Sequence, residues 1–337
     1  MTQDLTAQLS ETDRILADAR LKSVSPDDGK YFKEAAALVP YLSAHAEWLG
    51  CVKVQEVLLE TRLEFGQAKQ WHLDEFRAAV PKINVLNIAL LEERVTKHDQ
   101  LAVLEEMGRH VSEETKALLH LGTTSYDILD TARSYLHQQS WEAVIRLKIA
   151  EVAEKLCSLL ETYGDVLQVG RTHLQHTSPI PFGTTLAQYA ARIAERTEKC
   201  DAAFRDLRGK ISGIVGTGAS IDIVIGEGKS LDFEREVLKK LCLKPDYTAT
   251  QIVQKERLCD VGHAIVTLMH VLGDFANDMR ILYSSDIQEV TSSDGARHLG
   301  GSSADASKNN PINWENISGK TVVVESVSVP KLANVEL

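Results

Sequence analysis

Residues 125–163 read SYDILDTARSYLHQQSWEAVIRLKIAEVAEKLCSLLETY, a run that contains neither glycine nor proline. At 1.5 Å per residue an unbroken helix here is a rod of roughly 55 Å, far longer than the usual globular helix. Such a rod cannot cover its apolar stripe alone, so the stretch predicts a helical bundle. Two later runs have the same character: 184–208 has no Gly or Pro, and 251–290 is interrupted only by Gly262 and Gly273. The expected fold is therefore all-α, with the 184–208 helix running antiparallel to the first across a compact connection.

Upstream, apolar residues recur at helical spacing over 32–48, 52–68 and 83–107, which predicts further helices in a smaller N-terminal domain. Two stretches fit this scheme poorly. Residues 209–228 are Gly-rich but lack a surrounding βαβ unit, so they are no nucleotide fingerprint, and a short extended segment is expected within them. Residues 321–330, TVVVESVSVP, are β-branched and end on Pro330, which gives poor helix propensity. His263 and His270, one heptad apart, read as packed or capped residues, and no metal-ligand spacing is present.

Composition narrows the function classes. Charged residues make up 25% of the 337 positions and hydrophobic ones 44%, as in an ordinary soluble protein. A formal charge of −11 argues against a nucleic-acid surface, so any attraction for an anion must be local. Cys51, Cys157, Cys200, Cys242 and Cys259 are odd in number with no Cys-x-x-Cys pair, which predicts reduced thiols and a cytoplasmic location. No leader, no segment of membrane-spanning length and no cofactor is expected.

Chemistry concentrates in three polar clusters. The first, HLGTTSYD at 120–127, puts Thr124 and Ser125 at the start of the long rod, where free N–H groups and hydroxyls can receive a carboxylate. The second, GRTHLQH at 170–176, is too polar for a core. The third, RHLGGSSADASKNNPINWEN at 297–316, leads to Pro311 at a helix start with Asn310 as its cap and Lys308 beside it, a second anion site. His98 and Asp99 form a further polar patch, and Lys30 with Tyr31 could present a cation and a phenol to a phosphate. Removing a proton next to a carboxylate creates a dianion that needs fixed cations and N–H donors, with a base on the carbon and an acid on the leaving group. Ser302 or His173 could play either part.

The third cluster resembles the signature loop of the fumarase/aspartase superfamily at Gly301, Ser302, Ser303, Lys308, Asn310 and Pro311, while Asp305-Ala306 stands where that loop has Met-Pro. The chain is similar to the adenylosuccinate lyase family at five more places in order. These are Ser25-Pro26-x-Asp28-Gly29-Lys30-Tyr31, His98-Asp99, His120-x-Gly-x-Thr124-Ser125-x-Asp127, Arg171-Thr172-His173-x-Gln175 and Thr250-Gln251-Ile252. The helix start Pro311-Ile312-Asn313-Trp314-Glu315-Asn316 resembles one bacterial branch.

The resemblance implies an N-terminal helical domain over 1–111 and a central long-helix bundle over 112–337. In the family the bundle continues beyond this point, through an Arg/Ser-bearing segment and a C-terminal domain. It implies a homotetramer whose active sites draw the three clusters from different subunits, and a small-molecule succinyl nucleotide as substrate. The implied reaction is anti β-elimination of fumarate from adenylosuccinate and from the succinylated carboxamide intermediate of purine synthesis.

Carried over by position, Ser302 is the base and His173 the acid, with His98 orienting substrate or supporting His173. Thr124, Ser125, Lys308 and Asn310 hold succinyl carboxylates, with Ser303, Asp99, Gln251 and His120 nearby, and Lys30 and Tyr31 face the phosphate. Two other readings stand beside this one: a lyase or cycloisomerase of the superfamily with a smaller dicarboxylate, and a catalytically silent helical scaffold.

Overall fold

The 125–163 run is helical from end to end, but in three pieces: α-helix over Ser125–Ser140, an i→i+5 segment over Trp141–Ile145, and α-helix over Arg146–Tyr163. In the computed structural model, residues 28–291 and 309–333 are described, together with Ser10, Ala19, Leu21–Ser23 and Ser25, and side chains are described as far as residue 326. The principal elements are α1 (Ala44–Glu64), α2 (Gln70–Ala79), α3 (Val85–Leu91), α4 (Asp99–Gly108), α5 (Ser125–Ser140) and α6 (Arg146–Tyr163). There follow β1 (Leu167–Thr172), β2 (Gln175–Pro181), α7 (Phe182–Arg205), α8 (Ala219–Ile225), α9 (Ser230–Lys240), α10 (Glu256–Leu282) and α11 (Ile312–Ala333).

Contacts divide the chain into two units, Met1–Val144 with Gly209–Cys242, and Ile145–Arg208 with Leu243–Leu337. This division falls elsewhere than the 111/112 boundary that the family resemblance implies.

In the first unit α1 is the central helix. Ser43 caps it by accepting the Ala46 N–H at 3.1 Å, and its Val54, Val57, Leu58 and Leu59 are buried. α5 packs along α1 through Ile128, Leu129 and Ala132, and the forked Arg133 guanidinium holds Glu47 through two bonds of 2.9 Å. α9 closes the same core with Phe233, Val237 and Leu238. The 83–107 helix expected from spacing is broken. α3 passes into an i→i+5 turn at Glu92–Thr96, Lys97 takes a left-handed φ of 51°, and His98 starts α4 afresh. The 32–48 run is likewise divided into short turns of helix before Ser43.

In the second unit α6 packs on α7, α7 on α10, and α10 on α11. Leu186, Tyr189, Ile193, Leu268, Val271, Phe275, Ala276 and Met279 are buried there, and Phe275 lies between the rings of Tyr189 (centroids 5.0 Å apart) and Trp314 (5.4 Å). α10 corrects the expectation that no segment reaches membrane-spanning length: it is long and apolar enough by length and composition. Val261, Leu268, Val271, Phe275 and Met279 of this helix are buried in this core. It is also shorter than the 251–290 run, because Asp246 holds 246–254 in a turn by accepting from Thr248 Oγ1 (2.6 Å) and from the Gln254 N–H (2.9 Å). His263 and His270 are exposed rather than packed, and His270 Nε2 lies 3.5 Å from Glu325.

Two segments depart from what the sequence pattern suggests. The β-branched 321–330 stretch is helical in α11, because tertiary packing outweighs intrinsic preference. A Cβ at Gly273 would stand 2.9 Å from Thr321 Oγ1 and Cγ2, so the bare backbone of α10 lets α11 approach closely, and Thr321 Oγ1 reaches the Met269 carbonyl at 3.3 Å. The 170–176 cluster lies in a β-hairpin within an otherwise helical chain, with β1 and β2 antiparallel and Thr172 opposite Gln175. Val169, Thr172, Thr177 and Ile180 supply the branched side chains that strands favour. Of the Gly-rich stretch only Gly209 is in a strand, a two-residue one with Arg208, and helix α8 follows.

Candidate active site

The first polar cluster forms where α5 begins. Thr124 is its N-cap in a reciprocal capping box with Asp127, whose Oδ2 accepts the Thr124 N–H at 2.7 Å. Asp127 does more than cap. Its Oδ1 pairs with Lys210 Nζ and accepts the Ser212 N–H at 3.1 Å, and the Gly213 N–H reaches both oxygens at 3.3 and 3.1 Å. Lys210 also donates to the Gly213 carbonyl at 2.9 Å, and both members of the ion pair are 0% exposed. The Gly-rich segment thus wraps a buried carboxylate at the root of the Thr124-Ser125 corner, and Ser220 Oγ adds a bond to the Gly122 carbonyl at 2.6 Å.

On that corner Ser125 Oγ lies 3.5 Å from His98 Nε2, and His98 Nδ1 lies 3.1 Å from Asp99 Oδ1. With Asp99 accepting from Nδ1–H, the Nε2 lone pair faces Ser125, and a protonated ring could donate to a carboxylate there. His98 is half exposed, so the patch is open to a ligand.

His120 is held behind it in a left-handed conformation (φ 59°), its N–H bonded to Gln55 Oε1 at 3.0 Å and its Nδ1 3.1 Å from Gln55 Nε2. Burial lowers its pKa below the usual histidine value, with His98 and Arg62 acting the same way and Asp127 opposing. Arg62 is fully buried on α1, bonds the Leu121 carbonyl, and lies 5.4 Å over the Phe233 ring. Burial brings its pKa down to about 10. Lys30 Nζ sits 5.4 Å over the ring of its neighbour Tyr31, on the exposed turn before Phe32.

The second unit carries His173. It and Leu174 form the two-residue turn of the β1–β2 hairpin, with φ 52° and 59°. Two consecutive left-handed residues define a type I′ turn, normally the place of Asn-Gly, so His-Leu here is a strained choice. Gly170 makes the hairpin possible: the strand opposite carries an extra residue, and a Cβ at Gly170 would collide with the Ser178 carbonyl.

Arg171 and Leu174, on either side of His173, line a cavity of about 1270 Å³. Asn277, Arg280 and Tyr283 at the end of α10, Ser284, Ile287, Gln288 and Val290 beyond it, and Asn309, Asn310 and Glu315 at the start of α11 complete the wall. Pro311 accepts the Glu315 N–H at 3.0 Å, so α11 starts one residue later than expected, with Asn310 still at its mouth. Arg280, Asn277, Tyr283, Ser284 and Asn310 give the cavity the donors that a dicarboxylate needs.

The structure therefore brings His98, Asp99 and Ser125 together, with Thr124 and His120 on the same corner, and puts Asn310 in the wall flanked by the His173 hairpin. Gln251 is exposed on the 246–254 turn and is not among the residues lining that cavity. Ser302, Ser303 and Lys308 lie outside the described residues. Sequence reasoning missed Lys210, Gln55, Arg62 and Glu289, and gave Asp127 no role beyond its place in the 120–127 motif. Only Asp127 had a readable signal, the Thr-x-x-Asp spacing of a capping box.

Comparison with known proteins gives a consistent picture. Residues 12–325 match a family described as "Lyase". An adenylosuccinate lyase of Pyrococcus abyssi is 30% identical over 93% of this chain and 68% of its own length. One from Methanocaldococcus jannaschii is 28% identical over 85% of this chain and 61% of its own. The chain thus spans about three fifths to two thirds of these relatives. Among solved structures, a fumarate lyase from Mesorhizobium sp. BNC1 superposes with a TM-score of 0.72 at 24% identity, covering 87% of this chain and 64% of that one. The 3-carboxy-cis,cis-muconate lactonizing enzyme of Pseudomonas putida gives 0.73 at 19% identity, covering 88% and 64%. These last two likenesses speak for the helical fold alone.

Proposed function

Because this chain belongs to the lyase family of the fumarase/aspartase superfamily, we propose that it eliminates fumarate from a succinyl nucleotide, adenylosuccinate first among them. The observation that carries this reading is the helix-capped corner in which Ser125 Oγ and His98 Nε2 face each other at 3.5 Å above the N-terminus of α5. A carboxylate arriving there meets the Ser125 hydroxyl, the positive dipole end of α5 and an imidazole whose far nitrogen is engaged by Asp99.

The chemistry then assigns the remaining roles. Ser302 takes the proton from the succinyl carbon next to the bound carboxylate, and the electron pair moves into that carboxylate as a dianion. N–H donors and Lys308 stabilise the dianion. The carbon–nitrogen bond then breaks, and His173 gives its proton to the departing nitrogen, leaving fumarate and AMP. Asn310 and Ser303 hold the second carboxylate, Gln251 and His120 stand near the substrate, and Lys30 with Tyr31 receive the phosphate. The three clusters meet across subunits of a homotetramer in the cytoplasm, with a helical domain of 1–111 and a central bundle of 112–337.

The experiment is a substrate panel on the full 337-residue chain. Fumarate released from adenylosuccinate, and not from argininosuccinate or malate, supports the proposal, with Ser302→Ala and His173→Ala each abolishing most of it. Fumarate from a smaller dicarboxylate instead points to another superfamily lyase. No turnover of any of these, from a stably folded chain, points to a silent scaffold.

A further inference from the structure

The hairpin that carries His173 has one strong side-chain tie at its tip. Arg171, two residues before His173, pairs with Glu289 through Nη1 at 3.0 Å and Nη2 at 2.6 Å, the forked geometry that fixes direction as well as distance. The same Nη1 turns back to the Val169 carbonyl at 3.2 Å, so the guanidinium braces its own strand while it grips the partner. The side chains are 14% and 22% exposed but Glu289 as a residue is exposed, so the pair stands at the surface and owes its strength to the two-bond fork rather than to burial.

Glu289 is itself anchored. Beyond α10 the chain folds back so that the Glu289 N–H reaches the Leu282 carbonyl at 2.9 Å and the Val290 N–H reaches it at 3.4 Å. Gln288 adopts a left-handed φ of 51° to make that reversal, and the Ile287 and Gln288 N–H groups both bond the Ser284 carbonyl. A non-glycine residue held there signals a segment fixed from several sides. Glu289 therefore extends the rigid end of α10, and the hairpin tip hangs from it. Gln288 and Val290, on either side of Glu289, line the same cavity as Arg171 and Leu174.

We propose that Arg171 is a positioning residue: its forked pair with Glu289 clamps the strained His173-Leu174 turn to the end of α10 and so sets where the acid stands beside the cavity. This rests on the reading of His173 as the proton donor. It accounts for an arginine and a glutamate that otherwise bind nothing in the proposed reaction. It also explains how a two-residue turn with unfavourable dihedrals holds one conformation, since the clamp supplies an interaction that only this conformation makes.

The test uses the full chain with Arg171→Gln, Glu289→Gln, the double variant, and Arg171→Lys. Two measurements are made on each: amide hydrogen exchange of residues 167–181, and kcat with KM for fumarate release from adenylosuccinate. The expected result is exchange at the hairpin about tenfold faster or more in both single variants, with α7 unchanged and the double variant no worse than either single. Turnover should fall roughly 10²-fold through kcat, with KM nearly constant, as misplacement of a catalytic group by about 1 Å does. Arg171→Lys, which keeps charge but loses the fork, should recover only part of either loss.

Unchanged hairpin exchange in the single variants overturns the clamp, as do additive losses in the double variant. Faster exchange with unchanged kcat overturns the positioning role. If the unaltered chain releases no fumarate from any substrate, the reading of His173 as acid falls, and the exchange measurement still decides the clamp by itself.

Discussion

The buried Asp127–Lys210 pair makes a sharp energetic prediction, because its two halves have unequal partners. In Lys210→Met the Asp127 carboxylate loses its cation but keeps the N–H groups of Thr124, Ser212 and Gly213. Breaking a buried pair costs about 3–5 kcal/mol, and these three donors put the loss at the lower end, about 3 kcal/mol. In Asp127→Ala a fully buried ammonium is left without its anion, again about 3–5 kcal/mol, and three backbone donors lose their acceptor at about 1–3 kcal/mol each. The total rivals the ~5–15 kcal/mol that holds a whole domain together.

Lys210→Met should therefore fold with reduced stability, while Asp127→Ala should leave the first unit unfolded or aggregated. Urea titration followed by tryptophan fluorescence reads this unit well, since Trp48, Trp71 and Trp141 belong to it and only Trp314 to the other. Equal losses in the two variants, or a milder loss in Asp127→Ala, would refute the view that the carboxylate is the hub and the lysine its neutralising partner.

Three further outcomes follow from the geometry. Gly170→Ala should destabilise the hairpin by about 1–3 kcal/mol because the new methyl meets the Ser178 carbonyl. Leu174→Gly, by contrast, relieves about 1–2 kcal/mol of left-handed strain against roughly 0.5–1 kcal/mol of added chain entropy, so its melting temperature should not fall below that of the parent. Gly273→Leu should push α11 away from α10 at Thr321, read as faster amide exchange over 312–326 with α1 unaffected.

For His120, whose pKa burial lowers from the ordinary 6.5, the neutral ring is the form that folding favours. Its contribution is fully present above pH 6.5 and is lost as pH falls through the lowered value, when protonation of Nδ1 ends acceptance from Gln55. His120→Asn should therefore show a smaller drop in urea midpoint between pH 7.5 and 5.5 than the parent. An equal drop would place the acid sensitivity elsewhere.

The long elements were legible because their signal is additive. A run such as 125–163 accumulates helix-favouring choices over many turns, and the 184–208 run differs from observed α7 by only a few residues at each end. What failed was local. The break at Lys97 carries no Gly or Pro, and residues 321–330 have the composition of a strand. Yet close contact with Gly273, a residue some fifty positions earlier, makes them helical. Sequence periodicity cannot register a neighbour at that distance.

The candidate site shows the same division with a different cause. His98, Ser125, Thr124 and His120 could be picked out because exposed hydroxyls and imidazoles at a helix start are visible as polar breaks in an apolar pattern. The groups that hold them in place could not. Lys210 in a Gly-rich run, Glu289 after a helix and Arg62 on a buried face each look like ordinary surface charges along the chain. Their roles depend on burial and on partners 83, 118 and 59 positions away.

The hairpin tip makes the point most strongly. A polar heptapeptide with two histidines says only that the stretch is not core, and a type I′ turn is expected to carry Asn-Gly rather than His-Leu. Strain of that kind persists only where surrounding contacts over-determine it, and Arg171 with Glu289 supplies such a contact. If Leu174→Gly stabilises the chain while turnover drops, the unfavourable dihedrals are part of how the imidazole is aimed. If turnover rises with stability, the strain serves no purpose in catalysis and the clamp acts on the strand alone.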